Sequence, residues 1–271
     1  MTIPDASREF ELEKARNIRK LGSDTALKAL SLHWNIETSR HKYTYNFTSL
    51  ERPIIQDMVA LQEIIWDIRP DLIIETGIAH GGSLILSASM LALLDYCDAV
   101  QAGQALDPSA TRRRVLGIDI DIRAHNRAAI QAHPMSHRIE MIQGSSIDPD
   151  IVARVHAAAR GHERVLVILD SNHTHEHVLA ELEAYAPLVT PGSYCIVFDT
   201  VVEDLPEGMF PERPWDKGNN PKTAVWEYRR RLGEECASHC TRDPVRIGAA
   251  FRSRKAVAVH RLAGPAQHEI I

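Results

Sequence analysis

Five short strand-like runs, each separated from the next by a segment with helical spacing, constrain this chain more than any other feature. They are LIIE (72–75), VLGID (115–119), RIEMI (138–142), RVLVIL (164–169) and SYCIVF (193–198). A continuous apolar run of four to six residues is what a strand covered on both faces requires. Between the runs the period changes. Ile54, Ile55, Met58, Leu61, Ile65 and Ile68 recur at helical spacing and stop before Pro70. Further helices are expected over 83–95, 121–132, 148–159 (opened by Asp148-Pro149), 175–188 and from Pro221 to about 231. The last strand candidates are 244–248 and 255–261. Strands alternating with amphipathic helices predict βαβ units: an α/β, doubly wound, Rossmann-like sheet, mostly parallel with an antiparallel C-terminal strand.

At 271 residues the chain suits one such domain over 51–271, preceded by an N-terminal extension over 1–50. That extension is polar at first and then aromatic at Trp34, Tyr43, Tyr45 and Phe47. Such a patch is seldom left exposed on a monomer, so a homo-oligomer contact is expected there, and a monomeric mass by light scattering would rule it out. With 31 basic and 36 acidic residues scattered along the chain, nothing favours nucleic acid or an anionic membrane as partner. The first twenty residues carry charges throughout and no apolar core, so no secretory signal is expected. The apolar stretch around Leu84 to Leu94 is too short for a transmembrane segment. Cys97, Cys195, Cys236 and Cys240 form no disulfide framework, and a cytoplasmic protein is the expectation. Cys236, His239 and Cys240 lack the second pair that a zinc site needs and read as ordinary helix residues.

In doubly wound sheets ligands bind beyond the carboxyl ends of the strands, so the residues following each strand belong together. After the first comes Glu75-Thr76-Gly77-Ile78-Ala79-His80-Gly81-Gly82-Ser83. Its glycines let the backbone turn tightly and approach a ligand, and the next helix begins with free N–H groups. The spacing is not G-x-G-x-x-G. Glu75 would repel a pyrophosphate yet suits a nucleotide bearing ammonium and sulfonium groups. A plain strand–turn–helix link has the same composition. The second strand ends in Asp119, placed to hold ribose hydroxyls, with Asp121 as a rival or a helix cap. After the third, Gly144-Ser145-Ser146 offers small polar groups to an adenine edge or forms an ordinary loop.

The fourth strand ends in Asp170-Ser171-Asn172-His173-Thr174-His175-Glu176-His177 and the fifth in Asp199-Thr200, with Glu203 and Asp204 nearby. Asp170 and Asp199 at neighbouring strand tips can converge on one Mg²⁺, which takes oxygen ligands and keeps waters. His173, three residues from Asp170, is near enough to act as a base. His175 and His177 read as residues of a solvated helix start. An iron facial triad needs two histidines and a carboxylate, and no distant partner is recruited for one.

The segments ETGIAHGGSLILSASML, VLGIDIDIR, LDSNHTHEHV and GNNPKTAVWEY together resemble the cephalosporin hydroxylase/rhamnosyl O-methyltransferase family, from about Tyr43 to His260. The resemblance implies a class I S-adenosyl-L-methionine-dependent O-methyltransferase acting on a small-molecule or glycan acceptor. It implies that the Glu75–Gly77–Gly81 loop holds the methionine part of the cofactor, Asp119 the ribose and Ser146 the adenine side. The full set of expected cofactor contacts is Glu75, Gly77, His80, Gly81, Ser83, Asp119, Ser145, Ser146 and Asp170. Asp170 matches a magnesium-ligand position of metal-dependent relatives, and His173 the general base proposed for a macrolide-sugar methyltransferase. One departure stands out: some relatives have an acidic pair after the fifth strand, and here it is Phe198-Asp199. The missing ligand leaves Asp170 and Asp199 alone with waters, or brings in Glu203 or Asp204, or leaves the metal weak or absent.

The expected chemistry is methyl transfer to a hydroxyl held by Mg²⁺ on Asp170 and Asp199, with His173 taking the proton. The Pro-rich loop 200–220 is a candidate lid over the acceptor, with Trp215 either stacked on a sugar ring or anchoring the loop. An oxygenase-type hydroxylase and a non-catalytic cofactor-binding accessory protein are the rival readings. An NAD-dependent dehydrogenase is disfavoured by the absent phosphate fingerprint.

Overall fold

The computed structural model describes residues 55–239, 257–261 and 268–270. The expected strand at 244–248 and the extension over 1–50 lie outside the described residues. So do the side chains of Cys236, His239 and Cys240.

Each expected run forms a strand: β1 (Leu72–Thr76), β2 (Arg114–Asp119), β3 (Ile139–Gln143), β4 (Val165–Leu169) and β5 (Tyr194–Val197). They lie in the order β3-β2-β1-β4-β5, parallel throughout. Beyond β5, β6 (Val257–Arg261) pairs antiparallel with it and β7 (His268–Ile270) with β6. The helices are α1 (Ile55–Ile68), α2 (Gly82–Ala102), α3 (Ala124–Ala132), α4 (Pro149–Ala159), α5 (His175–Tyr185) and α6 (Pro221–His239).

All five residues of β1 and of β4 are buried because the sheet is covered on both faces. Alternation sorts them. Leu72, Ile74, Leu116, Val167 and Leu169 pack with Ile151 and Val155 of α4, Leu182 of α5 and Val225 of α6. Ile73, Val115, Leu166, Ile168 and Ile196 pack on the other face with Ile65 of α1, Leu84 and Leu91 of α2 and Ile130 of α3.

Several elements differ in length from the sequence expectation, each for a local reason. The second helix runs to Ala102 rather than 95 and stops at Gly103, whose φ of 63° caps it by returning its N–H to Ala99 and Val100. The acids of its second half are paired: Asp95 with Arg113 and the buried Arg138, Asp98 with Arg69 and Arg113. Among the described residues α2 alone is long and apolar enough to cross a membrane by length and composition. It is the crossover between parallel neighbours β1 and β2, and it buries Leu84, Ala88, Leu91 and Leu94. The third helix starts at Ala124, three residues later than expected, because Asp121 gives its N–H to Asp119 instead of capping. Asp148 does cap α4, accepting from the Asp150 N–H at 2.9 Å ahead of Pro149.

The strand order reverses between β1 and β4. The crevice beyond their carboxyl ends is where ligands of such sheets lie.

Candidate active site

Backbone geometry builds the first wall. Gly77 leaves β1 with φ +89°, and a Cβ there would meet the Asp170 carbonyl oxygen at 2.0 Å. Only glycine lets the two strand ends approach this closely. The turn continues through Ala79, a non-glycine residue at φ 45°, and Gly81 at φ 88°. Ala79 is held there from two sides. Asp119 Oδ2 accepts the N–H groups of Ile78 (2.8 Å) and Ala79 (3.0 Å), and the buried Asn126 on α3 donates to the Ala79 carbonyl at 2.9 Å. The second strand's acid therefore braces the first strand's loop, and Asp121 stays exposed. Nothing in the sequence around Asn126 singles it out; its role follows from where α3 crosses the loop.

Glu75 faces the α1–α3 side and is 1 % exposed. Oε1 accepts from the Ser83 hydroxyl at the start of α2, and Oε2 is buried without a hydrogen-bond partner. Burial pushes its carboxyl up to about 7, against a smaller opposing effect of the Ser83 hydrogen bond. The folded protein thus keeps a proton that the unfolded chain releases near 4.5, so this residue makes stability fall as pH rises between those values. Glu75→Gln is expected to remove that slope, worth up to roughly 3 kcal/mol at pH 8 in urea unfolding. An unchanged pH profile would show that the carboxyl ionises normally. His80 is half-buried in the same loop.

After β3, Ser145 is half-buried and Ser146 buried. The Ser146 hydroxyl lies 3.0 Å from His177 Nε2. His177 is thus part of the interior lining and not the solvated imidazole that helix-start composition suggests.

The second wall comes from β4 and β5. Asp170, His173 and Asp199 place their ligand atoms within 4.8 Å of one another. His173 Nδ1 lies 3.0 Å from Asp199 Oδ2 and Nε2 lies 3.8 Å from Asp170 Oδ1. Burial pulls the imidazole pKa down, but the hydrogen bond and charge of Asp199, with the charge of Asp170, outweigh it and raise it overall; Arg213 opposes. The Trp215 ring stacks on His173 with centroids 5.8 Å apart and planes at 21°. Phe210 meets Trp215 edge-on and the Arg213 guanidinium lies over it.

Phe198 stands where an acid was expected because β5 points alternate residues to opposite faces: Tyr194, Ile196 and Phe198 all turn to the α1–α3 core. Asp199 then adopts φ 54°, and its carboxylate reaches His173. The other two acids are engaged elsewhere. Glu203 accepts from the Gly218 N–H (2.8 Å) and the Asn220 side chain (2.6 Å), and Asp204 pairs with Lys222. These contacts tie down both ends of the 200–220 loop, whose Asn219 also accepts from the His175 N–H. The third corner of the cluster is therefore His173. His175 Nδ1 is occupied by Thr223 at 2.8 Å, so HTHEH contributes one imidazole to the cluster, short of the two an iron facial triad needs.

A family model described as rhamnosyl O-methyltransferase/CmcI matches residues 41–242. A rhamnosyl O-methyltransferase of Mycobacterium tuberculosis (strain ATCC 25618 / H37Rv) is 29 % identical over 153 residues, covering 56 % of this chain and 55 % of that protein. The Mycobacterium leprae (strain TN) protein of the same name is 29 % identical over 179 residues, 66 % and 67 % of the two chains. The chain thus spans about half the length of the first of these curated relatives. Among solved structures, the MycE methyltransferase from the mycinamycin biosynthetic pathway, in complex with Mg and SAH, superposes with a TM-score of 0.54 at 17 % identity. That match covers 83 % of this chain and 54 % of MycE. Its complex with Mg, SAH and mycinamycin VI gives 0.53 at 16 % identity, over 93 % and 62 %. At such identity the likeness is one of fold: an α/β Rossmann-like methyltransferase fold around a parallel five-stranded sheet.

Proposed function

The chain belongs to the rhamnosyl O-methyltransferase/CmcI family, and from that premise we propose that it transfers a methyl group from S-adenosyl-L-methionine to a hydroxyl of a sugar, glycan or glycosylated natural product. The convergence of Asp170, His173 and Asp199 beside the Gly77 loop carries this reading.

The residues fit the cofactor. Bound S-adenosylmethionine supplies an electrophilic methyl group on a sulfonium. The buried, partnerless Oε2 of Glu75 would accept its ammonium group, and the glycine turn lets main-chain N–H groups approach the carboxylate end. Asp119 has lone pairs beyond those given to Ile78, Ala79 and Asp121 and would accept the ribose hydroxyls. Ser145 and Ser146 would border the adenine, with His80, Gly81 and Ser83 completing the loop side.

The residues also fit a hard divalent cation. Asp170 and Asp199 present carboxylate oxygens to one point, and Mg²⁺ prefers such ligands. Bound there, the cation lowers the pKa of a hydroxyl. His173 is held by Asp199 through Nδ1, leaving Nε2 to take the hydroxyl proton. Trp215, braced by Phe210 and Arg213, fixes the ring plane and keeps water from that side of it.

The test is transfer of radiolabel from the cofactor to a panel of rhamnosides and related glycosides, with Mg²⁺ or with EDTA. Label transfer that EDTA stops is expected, and Asp170→Asn should lower it by about 100-fold or more. Turnover indifferent to EDTA but abolished by His173→Ala overturns the metal role and leaves the base. A protein that neither binds S-adenosylhomocysteine nor transfers label overturns the whole reading.

A further inference from the structure

His177, Glu181 and Tyr185 follow one another at intervals of four and so form one stripe along α5. All three reach the loops that follow β3 and β4. His177 Nε2 lies 3.0 Å from Ser146 Oγ and 3.3 Å from Ser171 Oγ. Glu181 Oε1 accepts from the Ser171 hydroxyl at 2.6 Å and lies 3.5 Å from His177 Nε2. The Tyr185 hydroxyl donates to the Ser146 main-chain carbonyl. Ser146 is thereby held through its side chain and its backbone by a helix that begins after the next strand.

Packing alone does not account for these residues. Glu181 and Tyr185 are 0 % exposed, flanked on the same helix by Val178 and Leu182 in an apolar core. A carboxylate in such a place is costly unless its polar neighbours repay the loss of water, and Glu181 Oε2 still lacks a partner. An apolar side chain at 181 would fill the space without that cost. What it would not do is tie Ser171, next to Asp170, to the imidazole that reaches Ser146.

Resting on the cofactor reading above, we propose that this stripe is a positioning device for the adenosine side of the site, with His177 as its pivot. It joins the loop expected to border the adenine to the loop that carries Asp170. His177 acts through Ser146 and Ser171, so its loss relaxes the cofactor wall more than the reacting centre.

The test combines calorimetric binding of S-adenosylhomocysteine with steady-state kinetics. His177→Ala is expected to raise the cofactor-product Kd and the cofactor KM about tenfold, while kcat at saturating cofactor falls by less than about threefold. His177→Gln, which keeps a donor near the Nε2 position, should recover most of the loss; a role in packing alone predicts no such rescue. Tyr185→Phe removes only the bond to the Ser146 carbonyl and should raise Kd about threefold. If His177→Ala does not fold, Tyr185→Phe decides: an unchanged Kd overturns the proposal. Wild-type binding with unchanged variants, a loss confined to kcat, or Gln no better than Ala also overturns it, leaving the cofactor reading intact. A wild-type protein that does not bind S-adenosylhomocysteine overturns both.

Discussion

Replacing His173 by alanine is expected to lower turnover by roughly 10²–10⁴-fold, the range typical of a lost general base, while S-adenosylhomocysteine binding stays within about twofold. The separation of the two effects follows from where the ring sits. Its neighbours are Asp170 after β4, Asp199 after β5 and Trp215 of the 200–220 loop. The loop expected to hold the cofactor is braced independently by Asp119 and Asn126. A base removed from that position costs only the proton-transfer step, so kcat and kcat/KM should fall together. Binding and turnover lost in parallel would instead mean that His173 holds the site together. The Trp215 stack makes a second comparison useful. His173→Phe keeps the ring contact but removes both nitrogens, and it should be as inactive as alanine.

The largest structural effect is expected at Gly77. Gly77→Ala sets a Cβ 2.0 Å from the Asp170 carbonyl oxygen and 2.6 Å from its carbon, in a backbone conformation with φ +89°. Neither backbone segment has a flexible end that can yield, so β1 and β4 must part where the crevice opens. A destabilisation of roughly 3–5 kcal/mol in urea unfolding is expected, with cofactor binding lost even where the protein still folds. Gly161→Ala is the matched control: its φ is +85°, but nothing lies within 4 Å of the added carbon. It should cost only about 1–2 kcal/mol, the conformational part alone. Equal costs at the two positions would show that the strand ends are not held in close approach.

Cofactor binding and acceptor choice, the two halves of the proposed activity, rest on different parts of the crevice. In the proposed reading the cofactor wall is the glycine turn, where Asp119 braces Ile78 and the buried Glu75 accepts from Ser83. The proposed acceptor half rests on Asp170, His173, Asp199 and the 200–220 loop. That loop is fastened at its ends by Glu203, Asn219 and Asn220, while Met209 and Phe210 stand exposed at its middle. Acceptor choice is therefore expected to respond to changes at 209–215 more than to changes in the strands.

The sequence by itself determined the sheet, because strands covered on both faces, β1 and β4 above all, demand continuous apolar runs and helices demand their own period. Those two periods placed β1 to β5 to within a residue or two, and with them the crevice at the strand ends. It also determined which residue types gather there, since strand ends are fixed once strands are. Tertiary structure alone decided how they engage. Asp199 joins His173 only because its backbone turns left-handed after Phe198 has gone to the core. Glu203 and Asp204, adjacent to the site in sequence, are drawn away by partners 15 to 18 residues on. His177 looked incidental until α5 brought it against Ser146, 31 residues earlier in the chain. Periodicity records which face of an element is buried. It does not record which distant polar group meets a side chain there, because that depends on how the chain crosses itself.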